Sequence, residues 1–336
     1  MEDSEEPPDK PPGISYRIGN TPFVRSRNIA SSIEPRRLYL KFEGGNPTGT
    51  QKDRASLACL RQAKEMDYDA LAIATCGNFG ASLAYLARGF GLTAHVYIPA
   101  NYHTERMDEI ANFGGIIHRV EGTYEDVVHY SSVEAKDSGW YDANPGGDVN
   151  TKASLEGYAG IAYEIYMSLG HVPGAVAVPV GNGTTFSGVY YGFKVLYDEG
   201  ETEGVPRMIA ASTSGGNPIV KSFLSGRRII EDLPPTAIKE TSLNEPLVSW
   251  HSFDGQLALD ALWESNGWAT YVSDRELIES ARNLAREEGL LVLPASASSL
   301  AALTRYAKYV PRGTEAETFV AVLTARKPYA RPRPRV

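Results

Sequence analysis

Two apolar runs in this chain are each followed by a glycine-containing turn and then by a helical segment. Residues 71–74 lead into Thr75-Cys76-Gly77-Asn78-Phe79-Gly80, and residues 175–180 lead into Gly181-Asn182-Gly183-Thr184-Thr185. An apolar run that ends in a glycine turn and precedes a helix is typical of a buried strand in a parallel sheet. We therefore expect backbone N–H groups and helix N-termini to meet at the carboxyl ends of these strands, an arrangement that favours an anion.

The alternation of strands and helices continues along the chain. The sequence predicts a strand at Ile116–Val120, a helix from Tyr124, and a further helix opened by a capping box of Ser273 with Glu276. A chain of 336 residues exceeds what one hydrophobic core normally supports. We therefore expect an α/β fold of two lobes, each a mostly parallel twisted sheet covered by helices on both faces.

The domain boundaries are predicted from turn-rich and biased segments. Ala143-Asn144-Pro145-Gly146-Gly147 marks the break between the lobes. We expect a disordered tail at 1–12, an N-terminal half at 13–145 with a smaller mobile lobe at about 75–145, and a C-terminal lobe at 146–326 that carries the second glycine turn. Residues 327–336 are basic and rich in proline, a composition that is usually solvated.

Charge and cysteine content exclude several classes of protein. A formal net charge of −8 argues against nucleic acid or an anionic membrane as the main partner and favours a small metabolite. Cys59 and Cys76 do not form a disulfide framework, and neither they nor the six histidines have the spacing of a metal site. The acidic start and the lack of a long apolar run predict neither a signal peptide nor a membrane span, so we expect a cytoplasmic protein.

A third segment holds one lysine in a constrained position. In Gly44-Gly45-Asn46-Pro47-Thr48-Gly49-Thr50-Gln51-Lys52-Asp53-Arg54, Lys52 lies between a proline- and glycine-fixed turn and the start of a helical stretch. Taken alone, a lysine is most often a solvated surface residue. Together with the two glycine turns, the segment describes a site for an aldehyde cofactor that carries a phosphate. That cofactor is pyridoxal 5'-phosphate (PLP).

The motif from Asn46 to Arg54 resembles the lysine motif of the fold type II, or tryptophan synthase β-like, PLP-dependent enzymes. Within that family the chain is most similar to threonine synthases. The likeness runs from Gly19-Asn20-Thr21-Pro22 through Pro294-Ala295-Ser296-Ala297 to Val322-Leu323-Thr324. It implies a PLP-dependent lyase with a phosphorylated amino-acid substrate, and a homodimer.

The resemblance implies a role for each motif. Lys52 would bind the cofactor covalently and then move protons on the substrate. Asn78 would bond the oxygen on the pyridine ring, and Thr324 would lie beside the ring nitrogen. The phosphate of the cofactor would be held by Gly181, Asn182, Gly183, Thr184 and Thr185. The residues that would bind the substrate are Thr75, Cys76, Gly77, Phe79, Lys152, Ser154 and Ser296.

Two departures from the threonine synthase pattern leave the substrate open. Ser154 stands before Leu155-Glu156-Gly157, where those enzymes place an arginine for phosphate, and Lys152 offers a point charge without the arginine fork. Phe79 replaces a common threonine.

Three functions therefore remain possible. The first is conversion of O-phospho-L-homoserine and water to L-threonine and phosphate. The second is β-replacement on O-phosphoserine or O-acetylserine, as in cysteine synthases. The third is binding of PLP or an amino acid without turnover, which the intact Lys52 argues against.

Overall fold

The computed structural model describes residues 17–30, 37–102, 106–309 and 318–327. The tail predicted at 1–12 lies outside these ranges, and of the tail predicted at 327–336 only Lys327 lies within them. In chain order, the described strands are β1 (Phe23–Arg25), β2 (Arg37–Phe42), β3 (Ala70–Ala74), β4 (Thr93–Pro99), β5 (Ile116–Val120), β6 (Tyr141–Asp142), β7 (Ala175–Pro179), β8 (Arg207–Thr213), β9 (Trp268–Val272) and β10 (Thr318–Leu323).

The described helices alternate with these strands. In chain order they are α1 (Lys52–Glu65), α2 (Asn78–Phe90), α3 (Met107–Asn112), α4 (Tyr124–Ser138), α5 (Asp148–Leu169), α6 (Thr184–Asp198), α7 (Pro218–Leu224), α8 (Gly255–Glu264), α9 (Asp274–Glu288) and α10 (Ser298–Tyr306). The predicted strand at Ile116–Val120 and the predicted helix start at Tyr124 are confirmed. The capping box is confirmed too, since Ser273 N donates to Glu276 Oε2 at 2.9 Å and Glu276 N donates to Ser273 Oγ at 3.4 Å.

The described strands form two sheets. One has six strands in the order β1-β2-β10-β7-β8-β9, and its neighbours run parallel except for β1, which is antiparallel to β2. The other has four parallel strands in the order β5-β4-β3-β6. The expectation of a mostly parallel α/β fold is confirmed.

Both faces of the central strands are buried. Every residue of β3, β7 and β10 is buried. Along β7, Val176 and Val178 join one hydrophobic cluster, whereas Ala175 and Ala177 join a second one on the other face. This burial explains why the strands appear in the sequence as short apolar runs with no polar alternation.

The long helix α5 packs against both α1 and α6. Glycine permits this approach: a Cβ atom at Gly157 would lie 2.7 Å from the carbonyl oxygen of Arg54 in α1, and one at Gly188 in α6 would lie 2.5 Å from Tyr158 Cβ. The starts of α1 and α6 are thus fixed relative to each other through α5. Although α5 has 22 residues, neither it nor another described helix combines the length and apolar character needed to span a bilayer.

Candidate active site

The carboxyl ends of β3, β7 and β10 open into one cavity of about 1270 Å³. It brings together the three motifs that the sequence singled out. The predicted site residues that line it are Lys52, Thr75, Cys76, Gly77, Asn78, Phe79, Ser154, Gly181, Asn182, Gly183, Thr184, Thr185, Ser296 and Thr324.

Lys152 does not line this cavity, and its side chain is exposed. Residues two apart on a helix point in directions that differ by about 200°. Because Ser154 is buried and faces the cavity, Lys152 on the same helix faces away from it. The structure therefore does not place Lys152 where it could contact a phosphate in the cavity.

The lysine turn is held by hydrogen bonds to the first residues of α1. Thr48 donates from its backbone N and from Oγ1 to the Asp53 carboxylate, at 2.8 and 2.5 Å. Gln51 N donates to the carbonyl of Thr324 at 2.9 Å, which joins the turn to the end of β10. Lys52 Nζ lies 5.0 Å from the ring centre of Phe79 and 5.6 Å from that of Tyr158. The amine therefore lies near two aromatic rings that line the cavity.

The first glycine turn places Asn78 at the start of α2. Gly77 has φ +137°, a conformation that favours glycine, and Gly77 N donates to Thr75 Oγ1 at 3.0 Å. Asn78 Oδ1 accepts a hydrogen bond from Arg106 Nε at 3.0 Å. Since the oxygen of the amide is used in this way, its NH₂ group is the part presented to a ligand.

The second glycine turn leads into α6. Gly183 has φ +98°, and no described side chain caps the N-terminus of this helix. Asp254 stabilises the turn, because its carboxylate accepts a hydrogen bond from Thr184 Oγ1 at 2.5 Å. The same carboxylate also accepts from Thr151 Oγ1 at 2.8 Å and from Gly146 N at 3.1 Å. Because no described side chain caps this helix, its first backbone N–H groups can bind an anion.

A pair of hydroxyl groups lies at the end of β10. Thr324 Oγ1 and Ser296 Oγ are 2.9 Å apart, and Ala325 N donates to Ser296 Oγ at 2.9 Å. Both side chains are buried. The end of this strand therefore offers a ligand a neutral hydroxyl group.

These groups fit PLP. The turn before α6 suits its phosphate, the Asn78 amide suits its ring oxygen, and the Thr324 hydroxyl suits its ring nitrogen. Polar atoms of four other cavity residues, Tyr158 Oη, Asn182 Oδ1, Glu245 Oε1 and Trp250 Nε1, are buried without a hydrogen-bond partner among the described residues. Such atoms are rare in folded proteins unless a ligand or water completes them.

Another wall of the cavity is lined by acidic side chains, among them Glu125, Glu240 and Glu245. Burial raises the pKa of Glu245 to about 7, with the charge of Glu240 adding to the effect and a hydrogen bond from Cys76 opposing it. Burial also raises the pKa of the Cys76 thiol well above its usual value, and the carboxylates of Glu245, Glu240 and Glu125 raise it further. Cys76 is therefore a neutral thiol near pH 7 and does not act as a nucleophile.

Sequence reasoning missed several residues of the site. Arg106, Asp254 and Glu245 come from segments without a motif, and Tyr158 directly follows the Leu155-Glu156-Gly157 triplet but was given no role. Asp254 could have been suspected as an acidic residue directly before a helix, but such residues are common caps. The others become neighbours only through the tertiary fold.

Comparison with known proteins agrees with this geometry. The family described as "Pyridoxal-phosphate dependent enzyme" matches residues 14–325. The fold and the site together define a PLP-dependent enzyme of fold type II, and the chain belongs to that family. PLP is its cofactor.

Curated relatives of the chain include two threonine synthases. It is 33% identical to that of Methanocaldococcus jannaschii, over 87% of this chain and 71% of that protein. It is 32% identical to that of Synechocystis sp., over 94% of this chain and 78% of that protein.

Solved structures share the fold. A PLP-dependent aspartate racemase superposes with a TM-score of 0.75 at 18% identity, over 91% of this chain and 90% of that one. Maize serine racemase also has a TM-score of 0.75 at 18% identity, over 92% of this chain and 90% of that one. At such low identity these structures show the fold alone.

Proposed function

We propose that this enzyme eliminates or replaces a group on the side chain of a small amino acid, the chemistry that the sequence relatives support. The observation that carries the proposal is the position of Lys52 and Thr324 on one cavity. An amine that can move protons and a neutral partner for the ring are both present there. The amine serves either reaction, and the neutral partner is the feature that disfavours transamination.

The protein's own groups divide the work. When bound, PLP supplies an electron-withdrawing ring that stabilises negative charge on the carbon beside the substrate's amino group. Lys52 would take the proton from that carbon and return a proton further along the side chain. The Thr324 hydroxyl would leave the ring nitrogen less often protonated than a carboxylate would, which disfavours transamination. The N-terminus of α6 and the Asn78 amide would fix the orientation of the cofactor.

The finer identity of the reaction has two candidates. Formation of L-threonine from O-phospho-L-homoserine is supported by the relatives, which are threonine synthases. β-Replacement on O-phosphoserine or O-acetylserine uses the same cofactor and the same proton transfers. Lys152 is exposed and does not line the cavity, so neither candidate depends on it for a phosphate contact.

A substrate screen tests the proposal. The PLP-loaded enzyme is incubated with O-phospho-L-homoserine, O-phospho-L-serine, O-acetyl-L-serine and their free hydroxy amino acids, the serine substrates also with sulfide. Release of phosphate, acetate or ammonia is measured together with the amino acid formed. We expect turnover of at least one of these compounds and none by Lys52→Ala. Exchange of the amino group with a keto acid, without elimination, would contradict the proposal.

A further inference from the structure

Residues 235–250 contribute much of one wall of the cavity. They are tied to the second glycine turn, because Asn217 Nδ2 donates to the carbonyl of Gly181 at 2.9 Å and to that of Leu247 at 3.2 Å. We call these residues the covering segment.

The covering segment also reaches the ends of the strands in the small sheet. Trp250 N donates to Glu125 Oε1 at 3.2 Å, and Tyr102 Oη donates to Glu240 Oε2 at 2.5 Å. The covering segment is therefore held by hydrogen bonds to residues of both sheets' connecting segments, through its backbone at Leu247 and Trp250 and through the Glu240 side chain.

The described residues that line the cavity carry more negative than positive charge. The carboxylates are Glu121, Glu125, Asp126, Glu240 and Glu245. The cations are Lys52, Arg106 and Lys327.

The position or the existing contacts of each of these cations limit its ability to bind a phosphate on the substrate in addition to the phosphate of the cofactor. Lys52 is the amine for the cofactor, and Lys327 is exposed. Arg106 donates through Nε to Asn78 and through Nη1 to the carbonyl of Thr48 at 3.0 Å. The cofactor phosphate and the substrate carboxylate already bring negative charge into this cavity. A phosphate on the substrate would add about two more charges beside the carboxylates.

Glu245 receives a hydrogen bond from the Cys76 thiol, but it differs from its acidic neighbours in keeping one buried carboxylate oxygen without a donor. Glu240 accepts from Tyr102, and Glu125 accepts from the backbone of Trp250. Glu245 Oε1 is buried and has no hydrogen-bond partner among the described residues, although the side chain lines the cavity. A buried carboxylate oxygen without a donor is costly, so a ligand that supplies a donor gains affinity there.

We propose that Glu245 determines substrate specificity by accepting a hydrogen bond from a hydroxyl or ammonium group on the substrate's side chain, so that the enzyme prefers such an amino acid to a phosphorylated one. The inference rests on the elimination or replacement chemistry of the proposed function and names a chemical class for its substrate. It favours neither of the two finer candidates above, since none of their substrates carries a free hydroxyl or ammonium group on the side chain. Glu245 is a binding residue here and takes no proton from the reacting carbons.

The test is a titration of the PLP-loaded enzyme at pH 8, with the absorbance of the cofactor as the readout. The probes are L-homoserine, L-2,4-diaminobutyrate, O-phospho-L-homoserine and L-2-aminobutyrate, which keep a similar carbon chain and differ in the terminal group. The variants are Glu245→Gln, which removes the charge, and Glu245→Asp, which keeps it. Glu203→Gln is the matched control, since Glu203 is exposed and lies away from the cavity.

We expect L-homoserine or L-2,4-diaminobutyrate to bind about tenfold or more tightly than the other two probes. A better response to the first identifies a hydroxyl donor, and a better response to the second identifies an ammonium donor; either supports the inference. Glu245→Gln should lose most of this preference, Glu245→Asp should retain part of it, and Glu203→Gln should keep all of it.

Two results would overturn the inference. The first is that the wild-type enzyme binds O-phospho-L-homoserine as tightly as, or more tightly than, both L-homoserine and L-2,4-diaminobutyrate. The second is that a folded Glu245→Gln variant keeps the full wild-type preference for L-homoserine or L-2,4-diaminobutyrate. A cofactor that responds to none of the four probes would also overturn the inference, whereas the proposed function fails only if the substrate screen above shows no turnover. The two failures are therefore distinguishable.

Discussion

Replacement of Arg54 by methionine should destabilise the fold around Lys52 by about 3–5 kcal/mol. Arg54 lies two residues after Lys52, and its Nε donates to Glu43 Oε2 at 2.7 Å while its Nη1 donates to Glu164 Oε1 at 2.7 Å. Glu43 is fully buried. Without the guanidinium, its nearest cation is Lys41, whose Nζ lies 4.0 Å away. The penalty arises because the buried carboxylate keeps hydrogen bonds from Thr21 Oγ1 and Asn46 Nδ2 but loses the cation that contacts it directly.

Glu164 gives this prediction a pH signature. Burial raises its pKa, but hydrogen bonds and charge from Arg54 and Lys41 outweigh burial and lower it from 4.5 to about 2. That difference corresponds to about 3 kcal/mol. Because the folded pKa lies below the unfolded one, this stabilisation is present above about pH 4.5 and is lost as the pH falls toward 2. The wild-type protein should therefore lose more stability on acidification than Arg54→Met.

The assay is urea unfolding followed by tryptophan fluorescence, at pH 7 and at about pH 3.5. Arg275→Met is the matched control, since the Arg275–Glu279 pair is exposed and such pairs contribute little. A loss of less than about 1 kcal/mol in Arg54→Met at pH 7, or an equal acid response in the two proteins, would refute the reasoning.

Three other substitutions test individual parts of the site. Asp254→Asn should weaken PLP binding about tenfold, because the anion that orients Thr184 is lost; an unchanged dissociation constant in a fluorescence titration would contradict this. Thr324→Ala should lower kcat while PLP stays bound, so a wild-type kcat would count against its place beside the ring nitrogen. Lys152→Ala should leave KM unchanged with every substrate, because its side chain is exposed; a marked rise in KM would restore it as a substrate contact.

Much of the fold could be predicted from the sequence because its local signals agree with one another. The runs that became β3 and β7 are short and wholly apolar, and each is followed by a glycine in a left-handed conformation, Gly77 or Gly183. These glycine turns place a helix N-terminus at the end of a parallel strand. Likewise, Lys52 was predicted at the beginning of a helix, and it is the first residue of α1.

The acidic wall could not be predicted in the same way. Glu240 and Glu245 belong to a long segment without hydrophobic periodicity, which is positioned by hydrogen bonds from distant residues such as Asn217 and Tyr102. Only the folded chain brings these groups to the cavity. Lys152 illustrates another limit of the sequence: it stands two residues before Ser154, and on a helix this spacing places its side chain on the other side, where it is exposed.

The most direct test of the central claim is reduction of the PLP-loaded enzyme with borohydride, followed by peptide mapping. Reduction makes the bond between the cofactor and its lysine permanent. We predict a pyridoxyl group on Lys52, in the peptide that contains Asn46-Pro47-Thr48-Gly49 before it. A pyridoxyl group on any other lysine, or none in a protein that has bound PLP, would contradict the account.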